Sequence, residues 1–108
     1  MNMKEIAREY LKKDHDAAGT SVHGFPDQEC EALHRFVYHG GIWDAHARKK
    51  YPVIRLKKPS EWTLDDIYAY LTFIVLTERT QEGCFEAHIK DGTINRLLER
   101  YLELEGEN

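Results

Sequence analysis

The sequence predicts a mostly α fold, a compact array of about five helices in one domain over residues 1–108. Three observations carry this reading. Apolar residues recur at i, i+3, i+4 and i+7 in several segments, the spacing of one buried helix face. Capping residues and glycines bracket those segments. The 108 residues suffice for one modest core and leave little room for a second.

The first helix spans about Asn2 to Asp14, with Met3, Ile6, Ala7, Tyr10 and Leu11 on one face and charges on the other. Small polar residues at 14–24, among them Gly19, Thr20 and Ser21, predict a loop. A second helix begins near Pro26, where a missing N–H does no harm. Asp27 and Glu29 in its first turn favour the positive end of the helix dipole. Cys30, Leu33 and Val37 form its buried stripe, and Gly40-Gly41 ends it.

Ile42 to Lys50 is expected to make one or two helical turns. Tyr51-Pro52-Val53-Ile54-Arg55-Leu56 carries a proline and alternates poorly, so the 48–60 stretch is expected to be a basic, extended connector closed by Pro59. Thr63 with Asp66 three residues on resembles a capping box and opens the strongest helix. Leu64, Ile67, Tyr68, Leu71, Ile74 and Val75 form one face, and Tyr70, Phe73 and Leu76 make the opposite face apolar too. Such a helix is the buried central element of a fold. A further helix is expected from Gln81 to Lys90, stopping at Asp91-Gly92. Thr93 is then expected to cap a last helix with Ile94, Leu97, Leu98, Tyr101 and Leu102 inward. Arg96 with Glu99, and Arg100 with Glu103, are spaced to pair on its outer face, and the chain is expected to fray from Glu105 onward.

Composition bounds the function classes. The chain is 42% hydrophobic and 31% charged, an ordinary globular balance. No apolar run reaches the roughly 20 residues of a membrane span. The charged N-terminus lacks a signal-peptide core, and two cysteines suit a reducing compartment, so a cytoplasmic location is expected. The net charge of −4 is unevenly spread. Ala45 to Ser60 holds no acidic residue, while Arg48, Lys49, Lys50, Arg55, Lys57 and Lys58 concentrate positive charge.

The run Leu76-Thr77-Glu78-Arg79-Thr80-Gln81-Glu82-Gly83, followed by Asp91-Gly92-Thr93-Ile94 and Leu97-Leu98-Glu99-Arg100, resembles a family of small bacterial domains of unknown function. Gly40-Gly41-Ile42-Trp43-Asp44 is similar to that family's glycine-plus-tryptophan stretch. Thr80 departs from the pattern, which has phenylalanine after the arginine. The resemblance implies a bacterial or phage origin and a helical fold, with Arg79, Glu82 and Gly83 as motif residues. It implies no activity or cofactor. A structural role for Arg79, Glu82 and Gly83 at a helix junction stands beside any functional one.

Four further residues suggest chemistry. Cys30-x3-His34 and Cys84-x3-His88 each put a thiol and an imidazole on one helix face. Two such helices side by side would form a Cys2His2 zinc site. The competing reading makes both cysteines core residues, and the tight ligand spacings usual for zinc are absent. His15, His23, His34, His39 and His46 cluster in the first half and suit metal binding, pH sensing or an ordinary surface. The basic strip lies near Trp43, Tyr51 and Trp62. It suits an acidic protein partner, nucleic acid, or a solvated connector. No phosphate-cradling loop, nucleophile elbow or zinc-protease motif occurs. The expected function is a non-catalytic protein-interaction or regulatory module without cofactor. Zinc binding and nucleic-acid binding are the alternatives.

Overall fold

The computed structural model describes residues 2–12, 28–39, 42–81 and 83–106. The predicted loop at 14–24, the Pro26-Asp27 helix start, Gly40-Gly41 and Glu82 lie outside them. The described residues form six α-helices: α1 (Met3–Leu11), α2 (Gln28–Tyr38), α3 (Ala47–Ile54), α4 (Leu64–Thr80), α5 (Cys84–Lys90) and α6 (Thr93–Leu104). A 3₁₀ turn at Pro59–Glu61 links α3 to α4. The mostly α class holds. The count is six because the expected connector is itself helical.

Helix α4 is the centre. It packs on α2, α3, α5 and α6, while α1 bridges α2 and α6. Its capping box forms: Asp66 N–H donates to Thr63 Oγ1 at 3.2 Å, and Thr63 N–H donates to Asp66 Oδ2 at 3.1 Å. Ile67, Leu71, Ile74 and Val75 are buried, and Tyr70 on the other side is buried too. Each fully buried aliphatic side chain contributes roughly 1.5–3 kcal/mol by leaving water. The radius of gyration of 12.8 Å matches the ~13 Å of a compact chain of this length.

Two expectations about element ends and one about an ion pair are corrected. Helix α5 starts at Cys84 instead of Gln81, because Gly83 takes a left-handed conformation (φ 97°) that breaks the helix there. Thr93 does not cap α6. It lies inside the first turn and is buried, and the Asp91 carboxylate accepts its N–H at 2.8 Å instead. Arg100 does pair with Glu103 at 2.6 Å, whereas Arg96 donates to the Asp91 carbonyl at 3.2 Å.

Candidate partner-binding surface

The largest correction concerns residues 47–54, expected to be largely an extended connector and found as α3. Ala47, Tyr51 and Ile54 fall at i, i+4 and i+7, and Ala47 and Ile54 are buried against α4. Tyr51 stacks on Phe73 of α4, with ring centroids 3.7 Å apart and planes 4° from parallel. Pro52 is sixth in an eight-residue helix, so its missing N–H deprives one carbonyl, that of exposed Arg48, which faces water. Packing of the inward stripe outweighs that one lost bond.

Both ends of α3 are tied down. Before it, the Asp44 N–H donates to Thr72 Oγ1 (3.1 Å), and that buried hydroxyl donates to the Tyr68 carbonyl at 2.7 Å. The Asp44 carboxylate accepts from the His46 N–H at 2.8 Å and from Lys50 Nζ at 2.7 Å. After it, Lys57 Nζ donates to Asp66 Oδ2 at 2.7 Å, and Trp62 Nε1 donates to the Ile54 carbonyl at 3.5 Å.

The Lys50 hydrogen bond holds the Asp44 carboxyl below the usual carboxylate range, against an opposing push from burial. Burial pushes Asp66 up, yet its bonds from Lys57 and the Thr63 N–H outweigh that, so it too is lowered. The unfolded chain therefore takes up these protons first as pH falls. The stabilisation is present above about pH 4 and is lost as pH drops through the lowered values. Asp66→Asn is expected to melt below the wild type at neutral pH, and the two melting curves should converge in acid. A gap that persists in acid would remove the ion pair as its source.

These anchors turn a defined face outward. Lys49, Pro52, Val53 and Leu56 stand at i, i+3, i+4 and i+7, and all four are exposed. Val53 is 63% and Leu56 79% accessible. The Leu56 N–H donates to the Val53 carbonyl at 3.2 Å, an i to i+3 bond, and this spacing nearly eclipses the two side chains. Arg48 and Arg55, seven residues apart, lie along one side of that face, with Lys58 beyond. All are exposed, and the ion pairs of the strip are those of Lys50 and Lys57. Thus Arg48, Lys49, Arg55 and Lys58 are close to the apolar pair in the chain and form no ion pair among the described residues. Lys50 and Lys57, also named by the sequence, are structural.

The aromatic residues divide likewise. Tyr51 is enclosed by Phe73 and Tyr70, and Trp62 is buried. Trp43 stays 38% exposed, edge-on to Tyr38 at 6.2 Å. The Arg79 guanidinium sits 5.3 Å from the Tyr38 ring centre, so Trp43 and Arg79 belong to one cluster. A groove of about 420 Å³ runs beside it, lined by His34, Arg35, Tyr38, His39, Glu78 and Arg79 among others. The sequence reading missed Tyr38, because helical spacing offers no sign that Arg79 crosses to it. It also missed Glu78. That carboxylate accepts the N–H of Gly83 at 3.2 Å and of Phe85 at 2.8 Å, holding the left-handed turn and the start of α5. Gly83 thereby has a structural role.

The two Cys-x3-His pairs face different neighbours. Cys30 is fully buried in the core, and His34 meets Phe85 edge-on at 5.5 Å. Cys84 is partly exposed, and His88 meets Tyr70 of α4 edge-on at 6.1 Å. Burial raises the Cys84 thiol, and nearby Glu78 and Asp91 add to it. Burial lowers His34 and His88, and His88 Nδ1 is 3.6 Å from Asp91 Oδ2. Among the described residues, no three His, Cys, Asp or Glu side chains form a group able to hold a metal ion. His39 lies edge-on to Tyr38, and His46 caps α3 without a side-chain bond. His15 and His23 lie outside the described residues.

No helix among the described residues is long and apolar enough to cross a membrane. No family model, curated protein or solved structure matches the chain.

Proposed function

We propose that this chain is a non-catalytic protein-interaction module whose docking surface is the outward face of α3, and that its partner is an acidic protein. The observation that supports this most is the pair Val53 and Leu56, exposed and adjacent, beside four cations that form no ion pair among the described residues. Isolated exposed aliphatic residues are ordinary, whereas an adjacent pair with a charged rim has the anatomy of a small interface. Nucleic acid is the weaker fit. Tyr51 is stacked on Phe73 and unavailable to a base, Lys50 and Lys57 are neutralised, and an apolar centre gains nothing from phosphates. The reading requires no metal or cofactor. It places the module in the cytoplasm of a bacterium or phage-infected cell, in keeping with the free cysteines and the motif resemblance.

Affinity capture with the intact chain tests this. Val53→Glu with Leu56→Glu is expected to reduce recovery of the captured protein by about tenfold or more. Lys90→Glu, on α5, should leave it unchanged. Equal capture by the double variant, or capture replaced by retention on duplex DNA, would sink the reading.

A further inference from the structure

We infer that the groove between α2 and the end of α4 binds a small aromatic carboxylate, with the carboxylate on Arg79 and the ring packed beside Tyr38 and Trp43. This site shares no residue with the α3 docking face and stands apart from it. The groove measures about 420 Å³, within the roughly 300–1,000 Å³ of small-molecule sites. Arg35, Tyr38 and His39 fall at i, i+3 and i+4 and so share a face of α2, and Glu78 and Arg79 come to it from the last turn of α4. Trp43 joins from the segment before α3, its ring 6.2 Å from that of Tyr38.

The hydrogen bonding of these side chains is one-sided. Glu31 accepts from Arg35 at 2.8 Å, and Glu78 accepts the N–H groups of Gly83 and Phe85, so both carboxylates are in use. The Arg79 guanidinium, the Trp43 indole and the Tyr38 hydroxyl belong to exposed side chains that make no hydrogen bond among the described residues. The Tyr38 ring, 5.3 Å away, steadies the guanidinium in place of a carboxylate, and Arg79 forms no ion pair among the described residues. Its rigid fork of N–H donors matches a carboxylate bidentately. A surplus of donors suits a ligand rich in acceptors.

Charge limits that ligand to one anionic group. Glu31 and Glu78 offset Arg35 and Arg79, and the C-terminal ends of α2 and α4, partly negative, lie at the same groove. A phosphate dianion or a dicarboxylate brings more charge than Arg79 alone answers. The remaining surface is aromatic. Tyr38 and Trp43 are 39% and 38% accessible with their planes 72° apart, and His39 lies edge-on to Tyr38 at 5.3 Å. Rings so placed form a corner that receives an aryl group by stacking and edge contacts. A free aromatic acid and the aromatic C-terminal residue of a peptide share this chemistry.

Nuclear magnetic resonance titration of the full chain tests the inference, reading the Trp43 indole N–H with that of buried Trp62 as the reference. The probes are benzoate, benzamide, acetate, adenosine monophosphate and an acetylated tripeptide ending in phenylalanine. Benzoate is expected to bind at about 1 mM or tighter, and benzamide and acetate at least about tenfold more weakly. Arg79→Gln should remove the preference for benzoate over benzamide. Trp43→Leu, followed through the α2 amides, should weaken benzoate by about threefold or more. Both positions are exposed, so unchanged melting of each variant confirms an intact fold. Val53→Glu with Leu56→Glu should leave benzoate binding unchanged, which separates this site from the docking face. Tighter binding of the tripeptide than of benzoate identifies a chain terminus as the ligand, and the reverse order a free acid; both uphold the site. Benzamide or acetate binding as tightly as benzoate overturns the aromatic carboxylate, and so does tighter binding of adenosine monophosphate. No movement of the Trp43 signal up to about 10 mM benzoate, or benzoate binding left intact by Arg79→Gln, overturns the site.

Discussion

Replacing Phe85 with alanine is expected to lower the unfolding free energy by about 3–5 kcal/mol. Phe85 is 1% exposed and lies near the start of the seven-residue α5. A helix that short has no independent stability in water. It persists because Phe85 and Ile89 bury it against α4 and α6. Removing the ring empties a large volume and takes away the edge contact with His34 on α2. Whole-domain stability runs near 5–15 kcal/mol, so this one change removes a large fraction of it. Urea denaturation followed by circular dichroism measures the effect. Hydrogen exchange should show α5 opening before α4. A loss under about 1 kcal/mol would mean that α5 is peripheral to the cooperative unit.

The second large effect is expected at Glu78. Its carboxylate takes two backbone N–H groups, those of Gly83 and Phe85, at the start of α5, where a helix's first N–H groups have no acceptor within the helix. Charge-assisted bonds of this kind contribute about 1.5–3 kcal/mol, so Glu78→Ala should destabilise by roughly that amount. Glu78→Gln should do about half the damage, since an amide oxygen still accepts. Gly83→Ala probes the same turn from the backbone. A Cβ there would meet no atom within 4 Å, so its effect is strain alone at φ 97°, on the order of 1–2 kcal/mol. Because one turn satisfies both, the double variant should lose less than the two single losses added together. Strict additivity in denaturation would show that Glu78 and the left-handed turn act independently.

The helix signals that were legible in sequence are the local ones. Thr63 and Asp66 are three residues apart, so their reciprocal cap is written within one turn. The apolar stripe of α6, from Ile94 to Leu102, is likewise a single-helix property. Pro52 shows how a local rule fails. Its steric preference for extended backbone at Tyr51 suggested a connector, yet the Ala47, Tyr51 and Ile54 stripe on α4 overrode it. The stripe is present in the sequence, and only the packing surface of α4 decides between it and the local preference of the proline.

The docking surface divides along the same line. Sequence alone determined that positive charge concentrates between Arg48 and Lys58, because charge is a property of residue identity. It could not sort those cations, since Asp66 meets Lys57 across nine positions and through the fold. Nor could it show that Val53 and Leu56 point outward together, which follows from the helical phase of α3 against α4. The Tyr38, Trp43 and Arg79 cluster joins three separate stretches of chain in the same way. Sequence by itself determined the helical class, the Thr63–Asp66 cap and the charge asymmetry, because each depends on residues within a turn or on composition. Tertiary structure alone decided which cations stay uncommitted, which aromatics stay exposed and where the cysteines face, because each depends on contacts between residues far apart in the chain.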